Sequence, residues 1–255
     1  MVVRSAFVLC LACLGAAHGS KAQNPEVQAW GDFTLGRTFA ANWLAELEVG
    51  YQQLVQGTPS WSCVSITPTL EVSTSPHIDI ISGFPWMDTQ QTDEVRTREF
   101  RAQLGARIHV LPFRKLQPRI TWRYEWRHFN TIAPEEQVGT SQSNRTRVNA
   151  AFFYAIDKPL MSHDTLWYTW VDWEAFVVLD QQLQERYAHL SIGRIGLGRK
   201  FNYNWRAEIV YALWHARDEV DVLRTDQYLD HVFRVSLKYY ITPPNRRKPE
   251  PAPGE

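Results

Sequence analysis

Among the side chains of this sequence that could act as a general base are His109, His128, His163, His189, His215 and His231. A catalytic imidazole needs a nucleophile within hydrogen-bond reach, and a serine hydrolase usually announces it with a G-x-S-x-G turn. No such turn exists in the chain, and no histidine pair has the spacing of a metal site. The run Gly193-Arg-Ile-Gly196-Leu-Gly198 has the glycine density of a phosphate-cradling loop, but no strand-to-helix transition follows it. Its glycines are expected to relieve crowding inside a strand. The histidines are accordingly expected as structural residues, with no metal and no cofactor. What remains is a set of alternating guanidiniums and carboxylates: Glu99, Arg101, Arg107, Arg119, Arg123, Glu125, Arg127, Arg145 and Arg147. Mixed charges of this density favour mutual ion pairing, in which each partner holds the other in its charged form.

The elements that carry these charges read as strands. In Gln117 to Asn130, Ile120, Trp122, Tyr124 and Trp126 share one parity, while Arg119, Thr121, Arg123, Glu125 and Arg127 share the other. A helix of period 3.6 would scatter both sets around its circumference. The same alternation recurs in Trp43–Gln52, Trp61–Val72, Pro76–Trp86, Glu94–Val110, Asn144–Ile156, Thr165–Leu179, Trp205–Arg217 and Tyr228–Ile241, with Val27–Gly36 a plausible first strand. Arg186–Phe201 is less regular, because its apolar face switches near Gly193, which suggests a bulge.

Length and composition bound the class. The 255 residues lack a long polar linker, so a single domain is expected. Basic and acidic residues balance at 27 each, which gives no sign of nucleic-acid binding. Arg4, the apolar run Ala6–Ala17 and Ser20-Lys21-Ala22 have the layout of a secretory signal peptide, residues 1–22, cut after Ala22, with a cut after Gly19 as the alternative. A lipoprotein attachment at Cys10 or Cys13 lacks its usual leucine and small-residue context. Losing Arg4 and Lys21 with the signal leaves 25 basic against 27 acidic residues, a formal net charge of −2, and leaves Cys63 with no partner for an internal disulfide. Beyond the signal no run approaches the roughly 18 apolar residues of a membrane helix. Residues 242–255 are Pro-rich and polar and are expected to be disordered.

These strands specify an all-β, antiparallel up-and-down barrel of about 10–12 strands spanning residues 23–241. Alternation alone does not say which face is inside, since a soluble lipocalin-like barrel turns its apolar face inward. Strands long enough to cross a bilayer at a tilt, about nine to eleven residues, favour a transmembrane barrel. So do the aromatic residues Trp43, Trp86, Trp122, Tyr124, Trp126, Trp167, Trp205 and Tyr239, expected to face lipid or form interfacial girdles. Short connections are expected at Ser73–Ser75, Leu111–Leu116 and Asn202–Asn204, and long polar ones at Met87–Asp93, Thr131–Ser143 and Asp218–Gln227. The segments number eleven, whereas bacterial barrels with both ends on one side have an even count. Either the first segment fails to span or two strands are merged near Arg186.

The signal segment, the Trp-rich first strands, Glu99-Phe-Arg101, Arg123-Tyr-Glu125-Trp-Arg127, Arg145-Thr-Arg147 and Gly196-Leu-Gly198 together resemble an uncharacterised family of bacterial outer-membrane β-barrels, defined only as a domain of unknown function. The resemblance covers nearly all of the mature chain. It implies residence in the outer membrane of a gram-negative bacterium, with outer-membrane lipids and the barrel assembly machinery as partners, and it implies no reaction. The Pro-rich extension after Ile241 departs from barrels that end on an aromatic residue, leaving Tyr239 and Tyr240 as candidates for the assembly signal. Two functions are therefore open. One is a structural or narrow pore-type barrel with an Arg/Glu-lined lumen; the alternative is a barrel hydrolase acting on outer-membrane lipid or lipopolysaccharide.

Overall fold

The computed structural model describes residues 26–40, 42–57, 60–91, 95–112, 114–132, 139–179, 188–221 and 224–241. The expected signal segment 1–22 and tail 242–255 lie outside them, as does Arg186. The described residues form twelve β segments: β1 Val27–Ala40, β2 Trp43–Gln56, β3 Ser62–Ser75, β4 Ile78–Gly83, β5 Trp86–Gln90, β6 Arg96–His109, β7 Leu116–Ile132, β8 Gly139–Ala155, β9 Leu166–Val178, β10 Ala188–Lys200, β11 Trp205–Asp221 and β12 Arg224–Tyr240. Apart from β4 and β5, each pairs with its neighbours in sequence, and β1 pairs with both β2 and β12, so the sheet closes on itself.

β4 and β5 share one place in the ring, both lying between β3 and β6. The break falls at Phe84-Pro85, where proline has no N–H to donate to the ladder. The barrel therefore has eleven strand positions. An odd count forces the two terminal strands of an up-and-down sheet to run in the same direction, and β1 and β12 are indeed parallel, from Val27 opposite His231 to Gly36 opposite Tyr240. The expectation of an even number is thus corrected. Neither rescue holds: β1 pairs along its full length, and β10 is one continuous strand with its irregularity between His189 and Ser191 rather than at Gly193.

The expected connection lengths also need correction. Where long polar loops were expected, the strands continue: β5 takes Met87–Gln90, β7 reaches Ile132, β8 begins at Gly139, and β11 and β12 run to Asp221 and from Arg224. Pairs such as Asn130 with Thr140 and Asp218 with Asp226 keep the ladder going. Backbone pairing is indifferent to side-chain polarity, so a strand outlasts its apolar face. Conversely, a long connection, 156–165, lies at the same end as the short turns and folds back so that Met161 is buried beside Leu166, Tyr168, Trp170 and Val210.

Burial along every strand is inverted relative to a soluble barrel. Ile209 is 66% exposed, Val235 59% and Leu104 57%, while Glu125 is 0% and Glu174 1% exposed. A single closed layer can shield a side chain only inside the ring, so the charged face points in and the apolar face out. Two apolar clusters share that interior with the charges. One is the Met161 cluster just described; the other joins Phe176, Ile192, Ala212 and Val232 with Trp30 and Trp214, whose rings meet edge to face at 4.8 Å.

The glycines of β10 make room for large neighbours on β9. A Cβ at Gly196 would run into the Trp170 indole, and one at Gly198 into the Tyr168 ring. Substituting Gly198 by Val should therefore lower the refolding yield of the closed barrel, and shrinking the neighbour in a Gly198→Val, Tyr168→Ser double variant should recover it. Both are read as the fraction of unboiled protein that migrates at the folded position in SDS gels. Equal yields for all three proteins would contradict the close packing.

Candidate functional site: the charged interior

The register places like charges directly opposite each other. Arg101 stands across from Arg127, and Arg123 across from Arg147. Directly opposed like charges destabilise a strand pair unless something lies between them. Carboxylates do so here, with Glu99, Glu125 and Glu174 each shared among two or three guanidiniums. Glu99 accepts from Arg127 Nε at 2.6 Å and from Arg101 Nη2 at 2.9 Å. Glu125 accepts from Arg145 Nε at 2.6 Å and also pairs with Arg147. Glu174 takes Arg123 at 2.9 Å, Arg194 at 2.8 Å and Arg147 at 3.4 Å, while Asp172 takes Arg194 Nε at 2.7 Å. Phe176 lies 4.9 Å beneath the Arg145 guanidinium and 5.5 Å from that of Arg147, a cation–π contact to each.

On this wall, β6 to β10, six guanidiniums (Arg101, Arg123, Arg127, Arg145, Arg147, Arg194) bond to four carboxylates (Glu99, Glu125, Asp172, Glu174). The rest of the ring has the opposite balance. Asp32 and Glu48 share Arg234, Glu71 and Asp79 share Arg107 of the adjoining β6, Glu208 holds Lys238 at 3.2 Å, and Glu46 accepts from the Tyr240 hydroxyl at 2.8 Å. Among these contacts of the described residues, guanidiniums outnumber carboxylates on β6 to β10 and carboxylates outnumber cations on the rest of the ring.

Of the residues expected in a charge cluster, Glu99, Arg101 and Arg127 form one group and Arg123, Glu125, Arg145 and Arg147 another. Arg107 belongs elsewhere, on Glu71 at 2.6 Å. Arg119 donates to Gln117 at 3.1 Å and lies 4.1 Å over the Phe153 ring. Arg123 is bonded to Glu174, not to the Glu99 or Glu125 that sequence proximity suggested. Sequence reasoning missed Asp172, Glu174, Arg194, Asp32, Arg234, Glu71 and Asp79 as members. Asp172 and Glu174 were on the polar parity of their strand, but nothing in one strand says which charge it meets two strands away. Arg194 was obscured by the irregular face of β10.

Of the aromatic set, Trp43 and Trp205 open β2 and β11, Trp167 is second in β9 and Tyr239 is penultimate in β12, whereas Trp86 opens β5 partway along the position that β4 and β5 share. Trp122, Tyr124 and Trp126 instead occupy the middle of β7, the first two outward at 48% and 38% exposure.

The histidines do not assemble a catalytic relay where contacts are defined. His109 Nε2 lies 2.6 Å from one Asp79 oxygen and the Ser73 hydroxyl donates to the other at 2.8 Å, so the carboxylate separates hydroxyl from imidazole. Nucleophile activation needs the imidazole in the middle. On the outer face, His231 Nδ1 meets the Tyr211 hydroxyl at 2.7 Å, and His128 stacks on Trp126. Among the described residues no group of three or more His, Cys, Asp or Glu could hold a metal ion. Comparison of the chain with family models, with curated proteins and with solved structures finds no match.

Glu125→Gln should cost about 3–5 kcal/mol, because Arg145 and Arg147 would be left buried without their shared counter-charge. Glu48→Gln should cost under about 1 kcal/mol, since Glu48 is partly exposed and one of two partners of Arg234. Urea titrations of the refolded barrel followed by tryptophan fluorescence would measure both, and equal costs would contradict the shared-carboxylate account.

Proposed function

We propose that this chain is an outer-membrane β-barrel of a gram-negative bacterium, of the uncharacterised family that its sequence resembles, and that it serves as a structural or narrow pore-type barrel with an Arg/Glu-lined lumen. The observation that carries this reading is the inversion of burial: exposed Leu, Ile, Val, Phe and Trp around the outside, ion-paired Arg and Glu inside. An apolar exterior of this extent is unfavourable in water and favourable in a bilayer. Closure supports the same reading, because lipid offers no partner to an unpaired strand edge. Fatty-acid release from outer-membrane lipid would instead favour the hydrolase alternative, which gains no support from the Ser73–Asp79–His109 geometry.

Insertion is tested by substituting across the two faces of β7. Tyr124→Arg would place a guanidinium among lipid tails near mid-strand and should cost about 2–4 kcal/mol in liposomes. If it is harmless, and if the native protein fractionates with the soluble periplasm, the membrane reading fails. Pore function is tested in planar bilayers, where the cationic wall should give a small, anion-preferring conductance and Arg123→Gln should move the reversal potential toward cation preference. Heat-modifiable insertion without any conductance would leave the structural role.

A further inference from the structure

On the outer face, near the end of the barrel where β3 begins and β5 ends, residues of β3, β5 and β6 fall into three successive rows. The register sets Ile66, Trp86 and Phe100 side by side, then Val64, Asp88 and Arg98, then Ser62, Gln90 and Arg96. The first row is wholly apolar, the second mixed and the third polar. A groove of about 400 Å³ follows this gradient, lined by Ser62, Val64, Trp86, Asp88, Gln90 and Arg96. In the first row Phe100 also stacks with Phe84, ring centroids 6.4 Å apart.

Among the described residues, the charges of the second and third rows do not balance. Arg96 forks onto the Asp88 carboxylate, with Nε to Oδ1 at 2.5 Å. Arg98 approaches the same carboxylate only through Nε, at 3.7 Å, beyond hydrogen-bond distance. Both arginine side chains are 46% exposed, whereas that of Asp88 is 9% exposed. Among the described residues one carboxylate thus serves two guanidiniums, which leaves one positive charge beside a row of Trp and Phe.

We propose that this groove is a binding site for an anionic phospholipid, whose phosphate is held by Arg98 and Arg96 and whose acyl chain lies along Val64, Ile66, Trp86 and Phe100. Each row of the groove then matches the polarity of the lipid at that depth. A guanidinium suits a phosphate diester because its planar fork can donate two parallel hydrogen bonds, and the excess of one positive charge complements the single negative charge of such a lipid. The inference rests on the membrane reading above. The other explanation of exposed rim arginines, snorkelling toward water without a specific partner, requires no groove and predicts no preference between lipids.

The full mature chain, refolded in a non-ionic detergent, is incubated with phosphatidylglycerol, with phosphatidylcholine of the same acyl chains, or with inorganic phosphate, and retained adducts are counted by native mass spectrometry. Phosphatidylglycerol should be retained about tenfold over phosphatidylcholine, the scale of one charge-assisted contact, and inorganic phosphate should not displace it. An Arg96→Gln, Arg98→Gln double variant should fall to the phosphatidylcholine level, and Asp88→Asn, which removes the competing carboxylate, should retain more phosphatidylglycerol than the native protein. A heat-modifiable barrel with equal retention of the two lipids, or with retention unchanged in the double variant, overturns this inference alone. Displacement by inorganic phosphate overturns the lipid in favour of a simple anion site. A chain that stays soluble without detergent overturns the membrane reading and this inference with it.

Discussion

Closing one sheet on itself gives every side chain one of two destinations, and no second layer exists to cover either face. In a barrel of about eight strands the interior is just wide enough for side chains to fill it, whereas sixteen or more leave an aqueous channel. Eleven positions fall between these limits. The interior is correspondingly occupied by the longest polar side chains, arginine and glutamate, supplemented by Tyr168, Trp170, Phe176, Trp30 and Trp214 where strands β8 to β12 and β1 come round. The small residues answer a local form of the same constraint: the Trp170 and Tyr168 rings occupy the space that a Cβ at Gly196 and Gly198 would need.

The odd strand count has its own consequence at the closing seam. Parallel pairs have slanted hydrogen bonds and are slightly less stable per residue than antiparallel ones. Here the seam is reinforced from inside by long-range side-chain contacts. Asp32 on β1 binds both Arg234 and Ser236 of β12, Arg234 reaches on to Glu48 of β2, and Tyr240 at the end of β12 donates to Glu46 of β2. These contacts cross from the last strand to the first two, so they form only after the ring has closed.

Strand identity and face were legible in the sequence because period-2 alternation is a local property. In β7, Trp122 and Tyr124 against Arg123 and Glu125 sort correctly without any knowledge of neighbours. Partnership was not legible, because it depends on register between strands that are distant in the chain. Arg123 is two residues from Glu125, yet its carboxylate is Glu174, 51 positions away. Connection lengths were misjudged for a related reason: polarity was taken as the end of a strand, although the backbone ladder in β7–β8 and β11–β12 continues through Asn130 and Asp218. The parallel seam was foreshadowed by the count of eleven segments, but a rule drawn from barrels with both ends on one side overrode it.

Buried ion pairs give little net stability, since desolvation offsets most of their attraction. Their arrangement is therefore better understood as specificity. A one-residue slip of β8 against β7 would turn Arg145 and Arg147 outward and bring Val148 and Phe152 inward, reversing both faces at once. With carboxylates shared among several arginines, such a slip strands more than one charge. The network thus selects one register among neighbours that the backbone alone would accept almost equally.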